Sequence, residues 1–442
     1  MKSNSAAVTA VGLALALSFA SHASASDVAL IHAGELLAVP GSPAREAQTI
    51  VIRDGKIDRV ADGYLDAAAA GVSEGDAVKI YDLKNRFVLP GLIDSHVHIL
   101  GENNPQARLQ TVEMSDADDA IAGAGFAKKT LMAGFTTVRD VGAGPGDAIF
   151  ALRDGIAKGD VAGPRIFASG ATISVTGGHG DGTQGYRNDI AYILQSPAVC
   201  DGPADCRRAV REQVRRGADH IKLTATGGVL SNTAAGVEQQ FFPDELEAIV
   251  SSAHAMGRKV TAHAHGRAGI NAALKAGVDS IEHGTYLDDE SIKLFRKSGA
   301  YLVPTLLAGA TVVEWAKDPT SFLLPPQRAK ALQVGPLMHD MAGKARKGGV
   351  KIAFGTDTGV SKHGENAREF ALLAAAGFTP MEAIRTATVN AADHLGKSAV
   401  LGTIEPGKYA DIIAVDEDPL ADVNALLDVD FVMKEGVVHK AD

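Results

Sequence analysis

Positive charge is what this chain has too little of. Against 43 Lys and Arg stand 53 Asp and Glu, a formal net charge of -10, which leaves no electrostatic footprint for nucleic acid or an anionic membrane surface. A small-molecule partner is the expectation. Charged low-complexity runs are also missing, and 46% hydrophobic content in 442 residues excludes a disordered chain. Aromatics make up only 5% while glycine numbers 48, a composition suited to helices packed closely on a parallel sheet rather than to an aromatic-rich sandwich. The expected class is α/β. There are no heptads and no internal repeat beyond a strand-helix period.

Long apolar runs are absent too. The one apolar stretch near the N-terminus, Val8 to Ala20, falls short of the roughly 20 residues that cross a bilayer. With Lys2 before it and Ala23-Ser24-Ala25 after it, the stretch reads as a secretory signal peptide, residues 1–25, and the mature protein is expected to be periplasmic or secreted and free of the membrane. Cysteine is scarce: Cys200 and Cys206 enclose a loop with Gly202 and Pro203, and an oxidising compartment allows them to form a local staple. Two free thiols are the alternative.

What the chain does contain is a run of βα units from about Phe87 to Gly377. Eight strand candidates can be counted: Val88–Asp94, Thr136–Asp140, Arg165–Ser169, His220–Thr224, Lys259–His263, Ser280–His283, Tyr301–Pro304 and Lys351–Gly355. Between them lie helical segments such as Pro243–Met256, with Pro243, Asp244 and Glu245 in the first turn and Gly257 after the end. Eight such units close naturally into a (β/α)8 TIM barrel, here residues 88–395. Residues 26–87 and 396–442 read as short strands and turns, too few on either side for a core, so one small β-sandwich domain built from both termini is expected. Thr379–Leu395 reads as a helix pair leading back to it.

The polar residues fall at the carboxyl ends of these strands. His96 and His98, spaced i and i+2 in a strand, point to one side and make half of a divalent-metal site. His263, His283, Lys222 and Asp357 occupy the ends of later strands. Lysine is an odd ligand, since its ammonium would repel a metal. Its neutral amine, which burial favours, instead adds carbon dioxide to become a carbamate, turning a cation into a bridging carboxylate. A Lys paired with an acid at the barrel mouth is the alternative. His220 lies on the same face but deeper and is read as structural. Arg139 sits beside Asp140, and that pair is read as satisfying itself.

These residues carry a resemblance. The segments Pro90-Gly91-Leu92-Ile93-Asp94-Ser95-His96-Val97-His98, Ile221-Lys222-Leu223-Thr224-Ala225-Thr226-Gly227-Gly228, His263-Ala264-His265-Gly266, Glu282-His283-Gly284 and Gly355-Thr356-Asp357 resemble the binuclear branch of the amidohydrolase superfamily. Within it the chain is most similar to secreted Xaa-Pro dipeptidase and carboxypeptidase relatives, including bacterial ochratoxin-hydrolysing amidohydrolases. The resemblance implies one metal on His96, His98 and Asp357, a second on His263 and His283, and carboxylated Lys222 bridging them, with zinc the usual ion. It also implies Asp357 as the proton shuttle, release of a C-terminal amino acid from a dipeptide or N-acyl amino acid, and a homo-oligomer. His265 and His179 are candidate substrate contacts, and Val229 and Leu230 candidate walls of an apolar pocket; loop packing is the competing reading for each. Lactone or cyclic-amide hydrolysis at the same site is an alternative reaction. A mononuclear deaminase fits less well, because Ala264, His265, Gly266 and Arg267 supply no Glu after His263. His363 follows the last strand closely enough to be kept in reserve.

Overall fold

The computed structural model describes residues 28–73, 77–231 and 236–442. The expected signal peptide lies outside these residues. Four strands come first: β1 Val28–Leu36, β2 Arg45–Arg53, β3 Lys56–Asp62 and β4 Val78–Pro90. Eight follow in alternation with helices: β5 Leu92–Val97, β6 Phe135–Asp140, β7 Arg165–Ala168, β8 Ile221–Thr224, β9 Val260–Ala264, β10 Ser280–His283, β11 Tyr301–Val303 and β12 Lys351–Ile352. The chain closes with β13 Ile412–Val415, β14 Phe431–Lys434 and β15 Val437–Ala441.

The terminal strands share one mixed sheet, in the order β15-β14-β13-β4-β1-β2-β3. Two of its hairpins turn on residue pairs with positive φ, Asp54-Gly55 and Glu435-Gly436, the backbone that a two-residue loop between twisted strands requires. The expected sandwich of two sheets takes a different form, a single sheet that rolls. The amide of Ile57 donates to Lys408 O at 2.9 Å and the amide of Ala410 to Gly55 O at 2.9 Å, so the far edge strand β3 meets the segment leading into β13. Ile31, Ile50, Val88, Ile412 and Phe431 are enclosed between the two halves of this roll. Both termini are needed because β13 pairs with the end of β4, through Ile412 and Pro90.

The strand expected at Val88–Asp94 is in fact two. β4 ends the rolled sheet at Pro90 and β5 begins the α/β part at Leu92. Between them a Cβ on Gly91 would stand 2.3 Å from Thr136 Oγ1, so this crossing point has no room for a side chain.

The remaining strands are parallel and lie in two arcs, β5-β6-β7 and β12-β11-β10-β9-β8. Isolated parallel bridges connect the arcs at both ends, Ile173 with Leu223 and Val97 with Thr358. Hydrogen bonds reinforce them, Ile173 N to Lys222 O at 2.8 Å and Ser95 N to Phe354 O at 2.8 Å. Helices between the strands carry recognisable end signals. Ser115 and Asp118 form a capping box before Asp116–Met132, Pro243 opens Pro243–Ala255, and left-handed Gly159, Gly217, Gly277 and Gly299 close four others. The expected final helix pair is one run, Pro380–Arg385 continuing through a π-turn at Thr386–Asn390 into Ala391–His394. Cys200 and Cys206 are disulfide-bonded. Among the described residues no helix is long and apolar enough to cross a membrane.

The bulge in β1 gives a stability test. A Cβ on Gly34 would lie 2.2 Å from the backbone oxygen of Lys84, which cannot swing aside as a side-chain tip can. Gly34→Ala is expected to destabilise the protein by about 1–3 kcal/mol. The urea midpoint should fall with the slope unchanged; an unmoved midpoint would show that the β1–β4 pairing yields without cost.

Candidate metal centre

Strand ends position the site. His96 lies within β5 and His98 just past it, Lys222 lies in β8, His263 in β9, and His283 closes β10. Asp357 follows β12 on a turn tied to β5. The buried Asp94 carboxylate accepts the amides of His96 (3.0 Å) and Thr356 (3.2 Å), the hydroxyl of Thr356 (2.6 Å) and the amide of Asn366 (2.8 Å). Three non-glycine residues here have left-handed backbone: His283 (φ 71°), Thr305 (φ 52°) and Asp357 (φ 59°). Such conformations cost about 1–3 kcal/mol each and persist where the surroundings hold them.

Two sets of three side chains could each hold a metal: His96, His98 and Asp357, and His263, His265 and His283, with the ligand atoms of each set within 4.8 Å of one another. Donor chemistry fits a divalent cation. Asp357 Oδ1 stands 3.4 Å from His96 Nε2 and 3.2 Å from His98 Nε2. Four rings are anchored through Nδ1, which leaves Nε2 to face a ligand: His96 to Glu282 Oε2 (2.7 Å), His98 to Gly142 O (2.8 Å), His265 to Thr285 Oγ1 (2.8 Å) and His283 to Thr305 Oγ1 (2.6 Å). Burial drives His263 and His283 well below the ordinary histidine range and His265 to about 3, so these imidazoles are neutral and able to ligate. Burial opposes the ionisation of Asp357, yet His96 and His98 hold its carboxyl well below the usual range.

Lys222 stands among them. It is buried, its pKa is pushed down to about 8 by desolvation, and among the described residues its amine has no hydrogen-bond or ion-pair partner. Glu282, Asp357 and Asp140 act on it electrostatically, but among the described residues none of them forms the ion pair that the alternative reading described.

Every candidate site residue lines one cavity of about 830 Å³: the six expected ligands, His265, His179, Val229 and Leu230. His179 is half-buried with its ring 4.3 Å from that of His263, and its buried Nδ1 has no partner among the described residues. Burial lowers its pKa to about 4. His265 falls among the possible ligands as well as on the cavity wall, a placement the strand period did not distinguish. His363 is outside the cavity, packed on Phe126 with Nε2 3.0 Å from Gly101 O.

Sequence reasoning missed the supports. Arg139 does not pair with Asp140. Its guanidinium reaches Glu282 at 2.8 Å and the backbone oxygen of Ser95 at 2.6 Å, while Asp140 accepts the amides of Ile99 and Gly142 and so fixes the loop beyond His98. Adjacent charges in a strand point to opposite faces, so sequence neighbours are poor partners there. Glu282 was visible only as the residue before His283. Burial raises its pKa, but Arg139 and His96 more than offset that and hold it ionised.

A family model described as the amidohydrolase family matches residues 87–438. The chain belongs to the amidohydrolase family. This amidohydrolase is therefore a hydrolase acting on amide bonds. It is 35% identical over 445 residues to an ochratoxinase of Aspergillus niger, covering 94% of this chain and 87% of that protein. A crystal structure of that fungal enzyme superposes with a TM-score of 0.81 at 30% identity, over 95% of this chain and 96% of the other. A Xaa-Pro dipeptidase with methionine bound in its active site superposes with a TM-score of 0.88 at 42% identity, over 94% of this chain and 100% of that one.

Glu282→Gln keeps the shape of the support and removes its charge. Metal affinity is expected to fall about 10–100-fold, read by competition with a chromogenic chelator. Unchanged affinity would show that His96 needs no charged partner.

Proposed function

We propose that this amidohydrolase is an exported binuclear zinc enzyme that releases the C-terminal amino acid from a dipeptide or N-acyl amino acid, with ochratoxin A among its substrates and phenylalanine the product in that case. The observation that carries the reading is the buried, unpartnered amine of Lys222 within electrostatic reach of histidines from both sets, His98, His263 and His283. The two bridged arcs are read as halves of a (β/α)8 barrel, with the site at its carboxyl end.

In this reading His96, His98 and Asp357 would hold one ion and His263 and His283 the other. Lys222 would complete the donor set as a carbamate: its neutral amine would form the N–C bond to carbon dioxide, one C=O pair would become the carboxylate, and the nitrogen would lose a proton to solvent. When bound, such ions acidify water to near pH 7 and polarise a carbonyl oxygen. Asp357, in contact with both His96 and His98, receives the proton released as the nucleophile forms and hands it to the departing amine. His179 and His265 close the cavity around the substrate carbonyl. Likeness to a fungal ochratoxinase and to a dipeptidase holding a free amino acid supports an amino-acid product. The Cys200–Cys206 bond suits an oxidising compartment.

The test is amino-acid release by the mature, zinc-loaded protein from dipeptides, N-acyl amino acids and ochratoxin A. Release is expected in the parent and none in Lys222→Ala. Asp357→Asn should lower kcat by about 10²–10⁴-fold; near-normal turnover would remove Asp357 from proton transfer. No release by a protein holding two metals would move the assignment to lactones or cyclic amides. A second expectation concerns pH. Only the neutral amine adds carbon dioxide, so metal uptake by the apo-protein with bicarbonate should quicken as pH rises through about 8, the value to which burial lowers Lys222. Uptake indifferent to both pH and bicarbonate would exclude the carbamate.

A further inference from the structure

The cavity has two kinds of wall. Segments after β8, β11 and β12 contribute Val229, Ala308, Val312, Val334 and Val360, which pack together as one buried apolar cluster and also face the cavity. The segment after β5 contributes Glu102, Asp116 and Asp119. Among the described residues Lys222 is the only lysine or arginine on the lining. Away from the metal ligands and Lys222, an acidic side chain on the substrate would therefore meet no lysine or arginine on this lining, and the carboxylates beyond β5 favour the ammonium end of a dipeptide on their side.

The apolar wall is tied from outside. Lys330, on the helix Pro325–Lys347 that also carries Val334, donates from Nζ to Gly228 O at 2.6 Å and to Ser231 O at 2.5 Å. Gln327, one turn earlier, donates its side-chain amide to Leu230 O. Lys330 has no carboxylate partner among the described residues, and desolvation lowers its pKa. Three hydrogen bonds to the backbone carbonyls of Gly228, Leu230 and Ser231 in one loop fix where Val229 and Leu230 stand. A Cβ on Gly228 would lie 2.3 Å from His179 Cε1, so the same loop is wedged against the imidazole beside His263.

We propose that this apolar arm receives the side chain of the released C-terminal residue and selects large apolar ones, and that Lys330 and Gln327 are the positioning residues that set its wall. The proposal rests on the amide-hydrolase reading, so its test has one measurement with turnover and one without. With zinc-loaded protein, the ratio of kcat/KM for N-acetyl-L-phenylalanine to that for N-acetylglycine should be on the order of 100, the worth of burying an aromatic side chain. Val312→Phe, which fills the arm, should cut that ratio on the order of 100-fold, and Ala308→Leu serves where Val312→Phe does not fold. Lys330→Met should cut it about tenfold, through KM for the phenylalanine substrate and not through kcat. A parent that prefers glycine, or a ratio unmoved in these variants, overturns the proposal.

The second measurement uses Trp315, the one tryptophan of the chain, which packs against the same apolar cluster. Its emission should respond to 3-phenylpropionate, which has no amide, at far lower concentration than to propionate, and the difference should vanish in Val312→Phe. That response without hydrolysis of either substrate would overturn the amide reading and leave the arm standing. No response to 3-phenylpropionate overturns the arm.

Discussion

A buried ion pair, Arg139 with Glu282, lies under the site, and the geometry above it depends on that pair. Removing two charges from water costs several kcal/mol per ion unless geometry and further hydrogen bonds return it. Here they do: Glu282 also meets His96, Thr261 and Ser280, and Arg139 also meets the Ser95 backbone and His394. One carboxylate thus ties β5, β6, β9 and β10 at a single level. The His96 ring is left with one orientation and one tautomer, and its Nε2 faces Asp357. An apolar pair of similar volume would pack as well and would orient nothing.

Above that layer the site trades backbone comfort for direction. His283, Thr305 and Asp357 stand in left-handed conformation where β10, β11 and β12 give way to loops. A strand can present only alternate side chains to one face, so bringing adjacent ends to a common centre requires a turn in the backbone. Asp94 holds one of these turns through four hydrogen bonds, and Thr305, itself strained, receives Nδ1 of His283. Strain and support are built from the same few residues.

The two walls of the cavity follow from which loops are long. The rolled terminal sheet takes no part in them, since its strands hydrogen-bond among themselves and meet the α/β part beyond Gly91. Helices after β11 supply most of the apolar wall, and Pro325–Lys347 reaches back to the loop after β8 through Lys330 and Gln327. Chemistry at the strand ends and choice of substrate are thereby carried by different parts of the chain.

The period-two alternation of a strand made much of this legible in the sequence. His96 and His98 had to face one side, the βα repeat had to give parallel strands, and the histidines, Lys222 and Asp357 had to fall where those strands end. These are local facts, settled within a few residues by covalent geometry. Tertiary structure alone decided the rest, because each remaining feature joins residues far apart in the chain. Arg139 finds Glu282 instead of neighbouring Asp140, His265 joins His263 and His283, and β3 rolls onto the segment before β13. Lys330 reaches Ser231 across 99 positions. No local preference encodes a partner at that distance; packing chooses it, by bringing Arg139 to Glu282 and Lys330 to the loop carbonyls.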